Sequence, residues 1–210
     1  MADPVKYIYS YIINMFCMLR GRLDYILQES RGRKVLHIGC ADDGYTEENL
    51  KGGRLFHSSL AQVAGELHGL DIEGIDALRK NGFENLYQAN IEEPIDIGDD
   101  WDLIVVPEIL EHLSNPGLAL RNIRSMCKPT TEVIFSVPNG INLRFSEKVY
   151  QDHNCWYSPG TIRILLEKHG FKISDMQLYA YSRINIIASK LINPVLVADG
   201  IMVKTTCSKE

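Results

Sequence analysis

In "PEILEHLSNP", Glu108, Glu111 and His112 put two carboxylates and an imidazole within one short stretch. On a helical turn, residues three and four apart share a face, so Glu108 can converge on Glu111 and His112. An imidazole with an ordinary pKa near ~6.5 suits a general base at neutral pH, with Glu111 to orient it. The same three groups, completed by His153 of "DHNCWYSP", form a carboxylate and imidazole set acceptable to Mg, Mn or Zn. A third reading is structural, with Glu111 capping or ion-pairing and His112 as support. Spacing alone leaves all three open.

A second group surrounds the glycines of "VLHIGCADDG". A dinucleotide loop places GxGxxG where a helix N-terminus meets a pyrophosphate. Here Gly39 and Gly44 flank Ala41, and the carboxylates of Asp42 and Asp43 would repel phosphate, which disfavours NAD. S-adenosylmethionine has no phosphate and carries a sulfonium and an ammonium, so an acidic loop suits it. Asp71, ending the next apolar run, is placed to accept both ribose hydroxyls, a task for two neighbouring acceptor oxygens; helix capping is its alternative. Asn90 offers a carbonyl oxygen to an adenine amino group, with Ile72 and Ile91 to sandwich the ring; its alternative is a turn asparagine. Trp156 and Tyr157 are suited either to lining an acceptor pocket or to anchoring their loop. His57 of "FHSSL" could reach the rim of the site from the helix after the glycine loop; its alternative is an ordinary surface or packing residue.

The elements that must position these residues alternate along the chain. "VLHIG", "LHGLDI", "NLYQAN", "WDLIVVPE" and "EVIFSVPN" are apolar strand candidates, separated by helical stretches such as "IDALRKNG" and "NPGLALRNIRSMCKP". Strands alternating with helices imply crossover connections and a mostly parallel sheet. In such sheets ligands sit beyond the carboxyl ends of the strands, where all the residues above fall. After the helix of "SPGTIRILLEKHGF", the tail adds the strands "KISDMQLYAY" and "GIMVKTTCS", joined by the helical "INIIASKLI".

The composition is that of a globular chain, 45% hydrophobic and 23% charged over 210 residues, which suits one domain with terminal additions. A net charge of -5 provides no basic footprint for nucleic acid. Five cysteines without a CxxC pair indicate neither a disulfide framework nor a cysteine zinc site, and a reducing cytoplasm is expected. Residues 4 to 29 carry apolar side chains at helical intervals; the segment is too short and too polar to span a bilayer, and such a face suits a cap over a pocket or a homodimer contact.

Taken in order, "VLHIGCADDG", "GLDIEGIDALRKNGFENLYQANIEE", "WDLIVVPEILEHLSNPGLALRNIRSMCKP", "VIFSVPN" and "DHNCWYSPGTIRILLEKHGF" resemble the class I S-adenosylmethionine-dependent methyltransferases over roughly Val35 to Ile173. The resemblance implies a Rossmann-like α/β fold, a seven-stranded, mostly parallel sheet with the last strand antiparallel and helices on both faces. A methyltransferase domain is expected over 32–210, behind an N-terminal helical cap over 1–31 that rests on the apolar periodicity of residues 4 to 29. Its cofactor is S-adenosylmethionine, released as S-adenosylhomocysteine. The cofactor contacts carried over are His37, Gly39, Cys40, Ala41, Asp42 and Gly44 in the first loop, then Asp71, Ile72, Asn90, Ile91 and Glu108. Glu111, His112 and His153 become the catalytic group, and Trp156 and Tyr157 the acceptor wall. His37 stands where the family usually has an acidic residue. Ala41 replaces a glycine, and its Cβ disfavours positive φ.

The expected reaction is methyl transfer to an oxygen or nitrogen of a small acceptor, with a sugar, sugar nucleotide or glycan preferred to a quinone-like compound. One alternative is metal-dependent 2'-O-methylation of an RNA 3' end, because Glu108, Glu111, His112 and His153 resemble the ligand set of small-RNA methyltransferases; the acidic charge opposes it. Another is a methyltransferase-like binding subunit without turnover, suggested by His37 and Ala41.

Overall fold

The apolar runs of the sequence become strands covered on both faces, which is why they lack polar alternation. This is seen in a computed structural model that describes residues 21–207 except 43, 144–151, 182 and 190. The strands are β1 (Lys34–Ile38), β2 (Glu66–Asp71), β3 (Leu86–Gln88), β4 (Leu103–Pro107), β5 (Glu132–Pro138), β6 (Phe171–Tyr179) and β7 (Gly200–Cys207). The helices are α1 (Arg22–Ser30), α2 (Thr46–Lys51), α3 (Phe56–Ala61), α4 (Ile75–Lys80), α5 (Pro116–Ser125), α6 (Pro159–Lys168) and α7 (Arg183–Ala188).

The seven strands form one sheet in the order β3-β2-β1-β4-β5-β7-β6. β7 runs antiparallel to both neighbours, and the other pairings are parallel. This is the expected sheet. Alternate residues of β1 face opposite ways: Leu36 and Ile38 join the core beneath α5 and α6, while Val35 joins the core beneath α1 and α3. The strand order reverses between β1 and β4, which opens a crevice at their carboxyl ends.

Local signals set the helix starts. Asn115 caps α5 by accepting from the Leu118 amide at 3.2 Å, with Pro116 at the first helical position. Ser158 and Thr161 form a capping box ahead of α6. Strand β3 is shorter than "NLYQAN" suggested, because Asn85 takes a positive φ of 55° and the Asn90 side chain turns back to accept from the Glu92 amide at 3.0 Å. Of the expected N-terminal helix, α1 is described and residues 1–20 lie outside the described residues, as does Asp43. Tyr25 and Ile26 of α1 pack into the same core as Val35, Leu103, Val105 and Ile134. Among the described residues no helix is long and apolar enough to cross a membrane.

Candidate active site

A cavity of about 670 Å³ occupies the crevice at the carboxyl ends of β1, β2 and β4. Its wall includes His37, Gly39, Cys40, Ala41, Asp42, Asp71, Ile72, Asn90, Ile91, Glu108 and His112. Residues distant in sequence and assigned to the cofactor thus meet with His112 around one space, of a size typical for small-molecule sites.

Gly39 turns the chain out of β1 with a φ of 79°, and a Cβ there would lie 2.2 Å from Cδ1 of Ile109. The backbone must be bare at this point, which lets a ligand approach closely. Ala41 needs no such freedom, because among the described residues only Asn85 and Glu108 are non-glycines with positive φ. Its methyl instead has a counterpart at Gly74, where an added Cβ would sit 2.6 Å from that of Ala41. Glycine at 74 makes room for alanine at 41.

Asp71 is a brace as well as a candidate ribose acceptor. Its Oδ2 accepts from the Ala41 amide and its Oδ1 from the Ile72 amide, each at 2.8 Å. A carboxylate has about four acceptor sites, so both oxygens can accept further donors from the cavity. Asp42 accepts from Asn49 Nδ2 at 2.7 Å and faces solvent. Asn90 lines the cavity but spends one acceptor site on its turn. Ile72 is exposed beside it and Ile91 is buried.

His37 and His57 form a buried pair. Their Nδ1 atoms lie 3.2 Å apart and their rings stack with centroids 5.4 Å apart. One Nδ1 must donate and the other accept, so at least the accepting ring is neutral. Burial holds the His37 pKa well down, with help from His57 and Arg22, and burial lowers that of His57 to about 4. The loop therefore faces a neutral imidazole where the resembling family has a carboxylate. His57 is buried in packing and also lines the cavity, so both readings of the sequence apply to it.

Glu108 ends β4 in a left-handed conformation, φ 53°, unusual for a non-glycine. Three partners hold its Oε1: Ser136 Oγ donates at 3.0 Å, Tyr179 O–H at 2.7 Å, and Arg22 Nη1 lies 3.4 Å away. Arg22 was not singled out by sequence reasoning, where it is one polar position in an amphipathic helix. The fold turns it onto the cavity wall, its guanidinium carbon 6.0 Å and 5.8 Å from the ring centroids of Tyr179 and Tyr181. An arginine there is suited to a carboxylate.

Beyond the cavity end, Glu111, His112 and His153 do converge, with one possible ligand atom from each within 4.8 Å of the others. Glu108, the fourth member of the expected metal set, is not among them. His112 Nδ1 lies 3.0 Å from the Asp152 carbonyl, to which it donates, leaving Nε2 as the lone-pair nitrogen, 3.9 Å from Glu111 Oε1. Glu111 is 1% exposed, and neither carboxylate oxygen accepts a hydrogen bond from a neighbouring group. Burial, reinforced by the charge of Glu108, pushes its pKa up to about 9. An orienting ion pair between Glu111 and His112 is therefore weaker than the sequence suggested. Tyr157, expected on the acceptor wall, is buried, and its hydroxyl donates to the Leu110 carbonyl at 3.2 Å, so it anchors the loop. Trp156 is 39% exposed with its ring 5.1 Å from that of His153, outside the cavity wall.

A bare-backbone glycine turn after β1, a carboxylate ending β2, a seven-stranded sheet with antiparallel β7 and a cavity at the switch point define the class I S-adenosylmethionine-dependent methyltransferases. The family described as "Methyltransferase domain" matches residues 11–175, and the chain belongs to it. It is similar to the ubiquinone biosynthesis O-methyltransferase of Yersinia enterocolitica, 30% identical over 129 residues, covering 56% of this chain and 49% of that protein. The corresponding Shewanella sp. protein is 27% identical over 181 residues, covering 73% and 71%. The chain thus spans about half the length of the first of these relatives. A solved S-adenosylmethionine-dependent methyltransferase from Mesorhizobium loti shares the fold, with a TM-score of 0.62 and 16% identity over 88% of this chain and 95% of that one.

Proposed function

We propose that this chain transfers the methyl group of S-adenosylmethionine to a hydroxyl oxygen of a small acceptor, and that the acceptor is an aromatic, quinone-precursor-like hydroxyl rather than a carbohydrate. The carrying observation is the single cavity that joins Gly39 and Asp71 to His112. The acceptor class rests on the names of the relatives, ubiquinone biosynthesis O-methyltransferases, which give no support to a sugar or glycan.

The bound cofactor supplies a sulfonium-activated methyl group. Gly39 leaves room for its methionine part, Asp71 accepts from its ribose, and Ile72, Asn90 and Ile91 border its adenine. Arg22 faces its carboxylate. Buried apolar surface from Ile91 and Cys40 keeps this end dry. His112 stands at the remaining end, where the acceptor oxygen must lie in line with the methyl and shed its proton.

Calorimetry with S-adenosylmethionine followed by a methyl-transfer assay tests the reading. A catechol acceptor should be methylated on oxygen while a sugar nucleotide is not. No cofactor binding at millimolar ligand would remove the enzyme reading. Transfer to the sugar nucleotide alone would reverse the acceptor assignment.

A further inference from the structure

The cavity wall nearest α1 and α3 holds two buried nitrogens without hydrogen-bond partners, Nε2 of His37 and Nε of Arg22. An unpaired buried polar atom is costly, so two of them on one wall point to a ligand. His37 alternates with Val35 along β1 and therefore faces α1, which carries Arg22, and α3, which carries His57. Arg22 lies near enough for its charge to help depress the His37 pKa, yet the two nitrogens do not pair with each other. A donor next to a lone pair closes a hydrogen bond; two donors aimed at a common acceptor cannot. Arg22 Nε always carries a proton, so His37 Nε2 carries one as well. In a neutral ring this leaves Nδ1 as the lone-pair nitrogen, and His57 Nδ1–H donates to it across 3.2 Å.

We propose that His37 and Arg22 clamp the carboxylate of the cofactor's amino-acid part through these two N–H groups, and that His57 is the positioning residue that fixes the His37 tautomer. The assignment rests on the S-adenosylmethionine reading of the site. A carboxylate has lone pairs for both donors, and arginine suits it. Arg22 Nη1 also approaches Glu108 Oε1 at 3.4 Å, so the charges of that pair offset one another, and directed N–H groups rather than net charge select the ligand. Glu108 has its three partners on Oε1, which leaves Oε2 to the ammonium of the same amino-acid group; Glu108 lines the same cavity. The order of charges is thus shifted relative to the resembling family. A neutral donor stands at His37, where an acid is usual, and the acid is Glu108. An acidic side chain in the place of His37 would repel the carboxylate that Arg22 faces.

The test is calorimetry with S-adenosylhomocysteine and with its decarboxylated analogue, S-adenosyl-3-thiopropylamine, which keeps the amine. Wild type should bind the carboxylate-bearing ligand roughly tenfold or more tightly, the scale of hydrogen bonds to a charged group. His37→Phe should cut that preference roughly fivefold and leave affinity for the amine nearly unchanged, while His37→Gln, which keeps an N–H donor, should restore most of it. His37→Asp should favour the amine. His57→Phe should cut the preference roughly threefold, a change that lost packing alone would not produce, because both ligands share the adenosine. Circular dichroism confirms that each variant is folded. Equal affinities in wild type would overturn the clamp, as would an unchanged preference in folded His37→Phe. An unchanged preference in folded His57→Phe would overturn the positioning role. If the variants do not fold, nitrogen NMR of the wild-type imidazoles decides. A protonated His37 Nε2 whose signal moves with S-adenosylhomocysteine and not with the amine is expected; an unprotonated Nε2 would overturn the proposal. Failure of wild type to bind either ligand would sink the cofactor reading itself, and the clamp with it.

Discussion

The hydroxyl of Tyr179, at the end of β6, donates a 2.7 Å hydrogen bond to Oε1 of Glu108, the left-handed residue that ends β4. A strained conformation persists only where its surroundings over-determine it, and here β5, through Ser136, and α1, through Arg22, add two further restraints. Burial and the charge of Glu108 hold the Tyr179 pKa well above its ordinary value, so the phenol stays a donor. Tyr179→Phe should therefore lower stability by about 1.5 to 3 kcal/mol, the usual range for a hydrogen bond to a charged group. Urea unfolding checks this; an unchanged midpoint would show that Ser136 and Arg22 suffice.

Ala41 and Gly74 should behave as a coupled pair. Gly74→Ala places a methyl 2.6 Å from the Ala41 Cβ at a φ of 72°, and a loss of about 1 to 3 kcal/mol is expected. Ala41→Gly should recover the steric part and leave the φ penalty. A double-mutant cycle measures the coupling, and strictly additive effects would contradict the packing described.

For Asp71 two roles must be separated, since its oxygens hold the amides of Ala41 and Ile72 as well as facing the cavity. Asp71→Asn keeps one acceptor oxygen and should weaken S-adenosylmethionine binding by roughly 1 to 3 kcal/mol. The denaturation midpoint of the ligand-free chain reports the brace separately. A large fall in that midpoint with unchanged cofactor affinity would assign Asp71 to structure alone.

Acid should destabilise the chain through the His37 and His57 pair. Both folded-state pKa values are lowered, that of His57 from 6.5 to about 4. Unfolded histidines take up protons below their ordinary pKa while the buried pair refuses them. Stability present above pH 6.5 is thus lost as pH falls towards 4, by up to roughly 3 kcal/mol from His57. Urea midpoints between about pH 7 and pH 4.5 should show a shallower decline in His57→Asn than in wild type. Equal slopes in the two proteins would remove the pair as the cause.

The alternation of strands and helices, the glycine turn after β1 and the carboxylate ending β2 were legible along the chain. Each is written in short-range terms: apolar periodicity, turn chemistry, and the rule that strand ends meet at one edge of a parallel sheet. "GCADDG" and Asp71 could be placed for the same reason, and so could the approach of Glu111 to His112. Tertiary structure alone decided which side chains share a surface across large sequence separations. It brought Arg22 to Glu108, stacked His57 on His37, seated Gly74 against Ala41, and added His153 to Glu111 and His112 while Tyr179 drew Glu108 aside. It also decided between pocket wall and anchor for Tyr157, in favour of the anchor. None of these pairings has a sequence period, because each depends on how strands and helices from distant segments are stacked, which follows only once the hydrophobic faces of the sheet are covered.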